Sequence, residues 1–335
     1  VKKLYSVPAI LSILSPAVIV LLIIASVLYN GDGLDIKILF EAIFYYDETN
    51  VKHAIIMTSR LPRVIAALAV GAFLAISGAV MQGMTRNYLA SPSIMGVTDG
   101  SVFIITVCLV FLPQLSSLQM IVFSMAGSLL GAGIVFGFGS IMRNGLSPVR
   151  LAIIGTVIGT FLSSLSAAVA SYFQVSQDVS FWYNAKLHQT DPEMLKWAIP
   201  FGIIGILIAL SISKSITLLS LGEEVSVSLG QRTRLVKALG ILSVVCLTGT
   251  AVALVGKIGF VGLVIPHIAR FLTGVDYKRI IPYSGLIGGV FLALCDLLSR
   301  MVNAPFETPV GVITAIVGVP FFLYLIRTRG GRNHA

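Results

Sequence analysis

Arg60 and Arg63 flank Pro62 at the head of one long apolar run, and Arg300 lies at the far end of another, which could bring three guanidiniums to one rim. Guanidinium forks pair with carboxylates in a bidentate manner, so the chemistry on offer is the recognition of acidic groups. The competing readings are snorkelling of long side chains and, for Arg300, an i, i+4 pair with Asp296. A second set, Thr160, Ser164, Ala167 and Ser171, recurs at helical spacing and so shares one face. That face reads equally as the wall of a polar path or as a set of interhelical hydrogen bonds.

Other chemistry finds little support. His53, His188, His267 and His334 are scattered, and Cys108, Cys246 and Cys295 sit singly in apolar stretches, so the sequence predicts no metal site, no catalytic residue and plain packing for the thiols. No G-x-x-x-x-G-K-[ST] loop occurs, so this chain predicts no bound cofactor and no nucleotide site of its own. Asp99 reads as a helix cap.

These residues must be positioned by membrane helices. The 335 residues are 56% hydrophobic and 11% charged, a composition foreign to a soluble surface. A hydrocarbon core of about 30 Å takes roughly 20 apolar residues per helix. About ten stretches qualify, over 8–29, 62–83, 94–112, 117–141, 148–173, 194–214, 235–255, 259–271, 281–301 and 308–326. They form one all-α polytopic domain over 1–335. The eighth is too short to cross unaided and calls for support from protein around it. Pro62 reads as the opener of the second.

Charge sets the orientation. With the N-terminus inside, Arg86, Arg143, Arg150, Arg232, Lys237 and Arg332 fall on the cytoplasmic side, whereas Asp32, Asp35, Asp47, Glu48 and Asp191 fall outside. Both termini are then cytoplasmic in a multi-pass cytoplasmic membrane protein. The net charge of +9 reflects this bias rather than a nucleic-acid surface, because no basic segment carries interleaved aromatics. Ionisable groups near mid-span are scarce, which disfavours an ion-coupled carrier.

The break over 215–234 differs in kind. Its LLSLGEEVSVSLGQRTR run, Leu218 to Arg234, predicts one or two short helices punctuated by Gly222 and Gly230, a platform for a soluble partner. Gly127 with Gly131, Gly133 with Gly137, Gly155 with Gly159 and Gly285 with Gly289 predict close helix packing. Phe181, Trp182 and Tyr183 read as an interfacial belt.

Four separated segments then carry a resemblance: Arg60 to Ser101, the Gly222 to Gly230 loop, GFVGLVIPHIAR from Gly259 to Arg270, and FETPVGVITAIVGVPFF from Phe306 to Phe322. Together they resemble the iron-siderophore and cobalamin family of ABC importer permeases over nearly the whole chain. The resemblance implies a type II importer fold with inverted repeats over 60–173 and 235–326. It implies pairing with a second permease, identical or sister, around a central path, and two cytoplasmic ATPases that hold the ATP and magnesium.

Carried over by position, Leu221, Gly222, Glu223, Glu224, Ser228, Leu229 and Gly230 are implied to couple to the ATPase. Arg60, Arg63 and Arg300 are implied to dock an extracytoplasmic binding protein, and Leu151 to Phe181 to form part of the gate. The SRLPR, QGMTRNYLASPS and SFWYNAKLHQ wording is most similar to permeases for ferric catecholate siderophores, with hydroxamate siderophore, haem or cobalamin as other family cargoes.

Overall fold

Apolar runs too long for a globular core, broken by Gly, Pro and Asp, fold into a helical bundle. The computed structural model describes residues 2–29, 31, 33–141, 148–184, 187–304 and 306–330. Asp32, Arg143, Arg332 and His334, and the side chain of Phe181, lie outside the described residues. Among those described, seven helices are long and apolar enough to cross a membrane, and three shorter apolar helices bring the set to ten.

The chain begins with α1 (Lys2–Leu28), then the short α2 (Ile36–Phe44) and α3 (Val51–Ile55). A π-helical turn over Ile56–Arg60 joins α3 directly to α4 (Leu61–Thr85). Pro62 therefore does not open this helix. It follows the widened turn, where the i→i+5 pattern makes room for a ring that lacks an N–H. Helices α5 (Val97–Phe111), α6 (Ser117–Ile141), α7 (Pro148–Tyr172) and the short α8 (Ser176–Asn184) follow.

After α9 (Pro192–Ser211) come α10 (Ser213–Leu221) and α11 (Glu223–Ser228), then α12 (Thr233–Val255), α13 (Val261–Thr273), α14 (Tyr277–Met301) and α15 (Val310–Gly330). The two short helices over 215–234 thus form with glycines at their ends. Gly222 has φ +141° and ψ +146°, a conformation nearly closed to side chains, and Gly230 has φ +78°.

α4 is the axial member, buried along most of its length among α14, α12 and α13. Small residues allow this. A Cβ on Gly71 would strike the Gly288 carbonyl of α14, and one on Gly78 the Gly262 carbonyl of α13. Backbones meet there without intervening side chains, the packing available where lipid supplies no hydrophobic drive between helices.

The 13-residue α13, about 20 Å long by helical rise, is held by protein, with Val261 to Pro266 all buried. Gly127 and Gly131 of α6 meet the α5 backbone, whereas Gly133 and Gly137 face open space. That pair makes no helix contact because its face of α6 turns outward. The three cysteines are free and buried.

Candidate functional site

Because α4 runs about 38 Å from end to end, it separates two polar regions. At its head, Arg60, Arg63 and Arg300 converge around a cavity of about 240 Å³ that also touches Tyr29, His188 and Glu307. Two carboxylates stand among them, and the i, i+4 pair of Arg300 with Asp296 read from the sequence is present. Asp296 of α14, whose side chain is 1% exposed, accepts from Arg63 Nε at 2.9 Å and Nη2 at 2.8 Å. Arg300 Nη2 lies 3.3 Å from its other oxygen. Arg63 Nη1 donates to Glu307 at 2.8 Å, and His188 Nδ1 lies 3.4 Å from that same carboxylate.

The reason is desolvation, since a buried guanidinium without a carboxylate is costly. Other donors of Arg60 and Arg300 cap the C-terminal end of α1. Arg60 Nη1 donates to the Val27 and Tyr29 carbonyls, and Arg300 to the Ser26 carbonyl and hydroxyl. Burial alone raises the Glu307 carboxyl, but the hydrogen bond and charge of Arg63, with His188 and Arg300, outweigh it and hold that carboxyl below its ordinary 4.5.

At the tail of α4, the helix ends on Arg86 in the left-handed conformation. Here α10 and α11 are tied to three long helices. Ile216 of α10 sits where a Cβ on Gly83 of α4 would fall. Thr217 donates to Asp276 at 2.9 Å and accepts from the Tyr277 N–H at 2.9 Å, joining α10 to the head of α14. Glu223 accepts from Lys237 of α12 at 2.6 Å. Glu224 adds a second acid to the first turn of α11, and Leu221, Val225, Val227 and Leu229 present exposed apolar side chains. Among the described residues, the segment is braced on one side and uncovered on the other.

The third region lies along α7. Its buried positions, Leu151, Gly155, Gly159, Leu162, Ser166 and Ala170, face α5 and α6, and Thr160, Ser164, Ala167 and Ser171 lie on the exposed side. Thr160, Ser164 and Ala167 line a groove of about 500 Å³, and Ser171 falls beyond it. The groove floor holds an ion pair that sequence reasoning missed: Lys257 Nζ lies 2.5 Å from Asp99 Oδ1, which also accepts from Ser163 Oγ at 2.7 Å. Asp99 is therefore not a cap. Gly96 occupies that position, and the carboxylate, on the third residue of α5, turns toward α7 and Lys257.

Trp182 of α8 is likewise not in a belt. It is buried against Val102, Ile105 and Val252. Among the described residues, no group of three or more His, Cys, Asp and Glu side chains is arranged for a metal ion.

A multi-helix bundle with an axial glycine-lined helix, a charged head, a braced helical platform at the tail and an open polar groove between them has the architecture of a multi-pass membrane protein. The chain belongs to the FecCD transport family, whose pattern matches residues 18–328. It is 58% identical over 325 residues to the iron-uptake system permease protein FeuB of Bacillus subtilis (strain 168), covering 97% of each chain.

It is 48% identical over 302 residues to the iron(3+)-hydroxamate import system permease protein FhuB of the same strain, covering 90% of this chain and 79% of that one. It matches, with a TM-score of 0.79 and 28% identity, a solved structure described as an inward-facing conformation of a metal-chelate type ABC transporter, covering 98% of this chain and 99% of that one.

Proposed function

We propose that this chain is the translocation subunit of an ATP-driven importer for a ferric catecholate siderophore. The observation that carries this reading is its 58% identity over 97% of both chains to an iron-uptake permease. The groove along α7 supports it, since hydroxyl and methyl side chains suit a bulky polar cargo that must be neither trapped nor repelled. Thr160, Ser164, Ala167 and Ser171 line one half of the path in this reading, and a second permease subunit, identical or sister, supplies the other across the exposed face of α7. The repeats over 60–173 and 235–326 rock against one another in alternating access.

The head of α4 receives an extracytoplasmic binding protein. Arg60 offers the more accessible cation, and Arg63 and Arg300 hold the surface in shape through Asp296 and Glu307. The tail engages two cytoplasmic ATPases through Leu221, Gly222, Glu223, Glu224, Ser228, Leu229 and Gly230. The exposed apolar side of α10 and α11 supports this assignment, as does their bracing to α4, α12 and α14, a route along which a push at the platform reaches the axial helix. Both chain ends then lie on the cytoplasmic side, and ATP with magnesium is held by the ATPases.

Uptake of labelled ferric catecholate into proteoliposomes holding the assembled importer tests the reading. ATP-dependent accumulation supports it, and accumulation of a ferric hydroxamate instead reassigns the cargo. Arg60→Glu is the cleaner test of docking, because Arg63→Glu would place a third carboxylate beside Asp296 and Glu307. Uptake at the parent rate by a correctly inserted Arg60→Glu variant refutes the docking assignment.

A further inference from the structure

Lys257 stands in the VGKIGF turn between α12 and α13, and its surroundings fix its backbone while leaving its ammonium reachable. Gly256 turns the chain at φ +84°, and the Lys257 N–H donates to the Trp182 carbonyl at 2.7 Å, so the residue is anchored to α8. The side chain is 31% exposed. It lines both the hydroxyl-walled groove of about 500 Å³ on α7 and an adjoining cavity of about 890 Å³ bounded by Phe260 and α15. Among the described residues lining these two cavities, Lys257 and Asp99 are the charged ones.

Asp99 can hold the ammonium and can also let it go. It is 4% exposed, accepts from Ser163, and sits in the first turn of α5, where the helix dipole favours a negative charge. Gly159 of α7 leaves it the space, since a Cβ there would come 2.8 Å from Asp99 Oδ2. The carboxylate thus keeps partners of its own if Lys257 swings away. Lys257 in turn has a flexible stem and a compact charge with three donors, one of them on Asp99.

We propose that Lys257 reads the charge of the cargo: Asp99 holds its ammonium in reserve, and an anionic chelate draws it away while crossing from one cavity to the other. This rests on the permease reading above and adds a preference within it. Three catecholates on one ferric ion leave a threefold negative complex, whereas a ferric trihydroxamate is neutral. An ammonium at the junction of the two cavities favours the first and does nothing for the second. A purely structural ion pair tying α5 to the α12–α13 turn is the alternative, and the two make opposite forecasts for a double variant.

The test uses the complete importer in proteoliposomes, with ferric tris-catecholate as cargo and with assembly and Tm checked for each variant. Lys257→Gln is expected to lower uptake about tenfold, the scale set by losing one charge contact in a half-solvated site. Lys257→Arg is expected to retain most uptake. Asp99→Asn, which frees the ammonium to hold cargo longer, should lower both KM and turnover. The double variant Asp99→Asn with Lys257→Gln should stay as slow as Lys257→Gln alone. Recovery of parent uptake by the double variant, or parent uptake by Lys257→Gln, overturns the proposal. If the parent complex accumulates no ferric chelate, the functional reading falls and takes this inference with it.

Discussion

Replacing Asp296 with Asn removes one charge and almost no volume from the head of α4. The carboxylate is 1% exposed and lies between Arg63 and Arg300, each 11% exposed at the side chain. Asn still accepts from Arg63 but cannot neutralise it. Two nearly buried guanidiniums then share Glu307, which of the two touches Arg63, also lies beside His188 and is 37% exposed.

Breaking a buried pair by removing one partner costs about 3–5 kcal/mol. At about 2 °C per kcal/mol for a chain of this size, the apparent Tm of the purified protein in detergent should fall by roughly 6–10 °C. Glu307→Gln is the comparison, because a part-exposed pair contributes at most about 1 kcal/mol. Binding should move the other way. Asp296→Asn makes this end one charge more positive, so affinity for an acidic docking partner should hold or rise while stability falls. An Asp296→Asn protein melting within about 2 °C of the parent would refute the reasoning from burial, and would mean that water carries the charge of both guanidiniums.

The lowered carboxyl of Glu307 gives a pH dependence of definite sign. A group whose folded value is depressed contributes stability in full above its ordinary value of 4.5 and loses it as pH falls through the folded value. The Tm difference between parent and Glu307→Gln should therefore be present above about pH 5 and close below about pH 4. Gly78→Ala drives a methyl group into the Gly262 carbonyl, and because both partners are helix backbone the cost should be at least about 1–3 kcal/mol, read as lost Tm and lost uptake together. Gly222→Ala forces a side chain into a nearly glycine-only conformation at a cost of about 1–3 kcal/mol. It should weaken ATP hydrolysis stimulated by the binding protein while insertion stays normal.

Features encoded by local spacing were legible in the sequence. The helical period of Thr160, Ser164, Ala167 and Ser171 put them on one face of α7, the glycines at 222 and 230 marked the ends of α11, and the short run over 259–271 gave α13 to within two residues. Features that depend on pairs distant in the chain were not. Asp296 was visible as a neighbour of Arg300 four residues away, but its bidentate partner Arg63 lies 233 residues off. Glu307 stood inside a quoted motif without being singled out.

Lys257 did carry a signal, a cation in the turn between the seventh and eighth spans, but nothing local tied it to Asp99. The cap reading of Asp99 failed for the same reason, because capping is a local preference and the ion pair comes from a turn 158 residues later. The π-turn ahead of Pro62 left no trace in periodicity. Only the five residues of α3 precede it, too few to establish a helical phase from which a shift could be read.

The seam where α4 meets α13 and α14 through bare backbone constrains how such a chain can diversify. At Gly71 and Gly78 even a methyl group has nowhere to go, so the axial helix offers no room for altered side chains and can change only together with its neighbours. The outward face of α7 is under no such restriction, because Thr160, Ser164, Ala167 and Ser171 can be exchanged for larger or differently charged residues without moving a helix. In the permease reading proposed above, retuning toward a different cargo falls on that face and on the turn that carries Lys257, and not on α4.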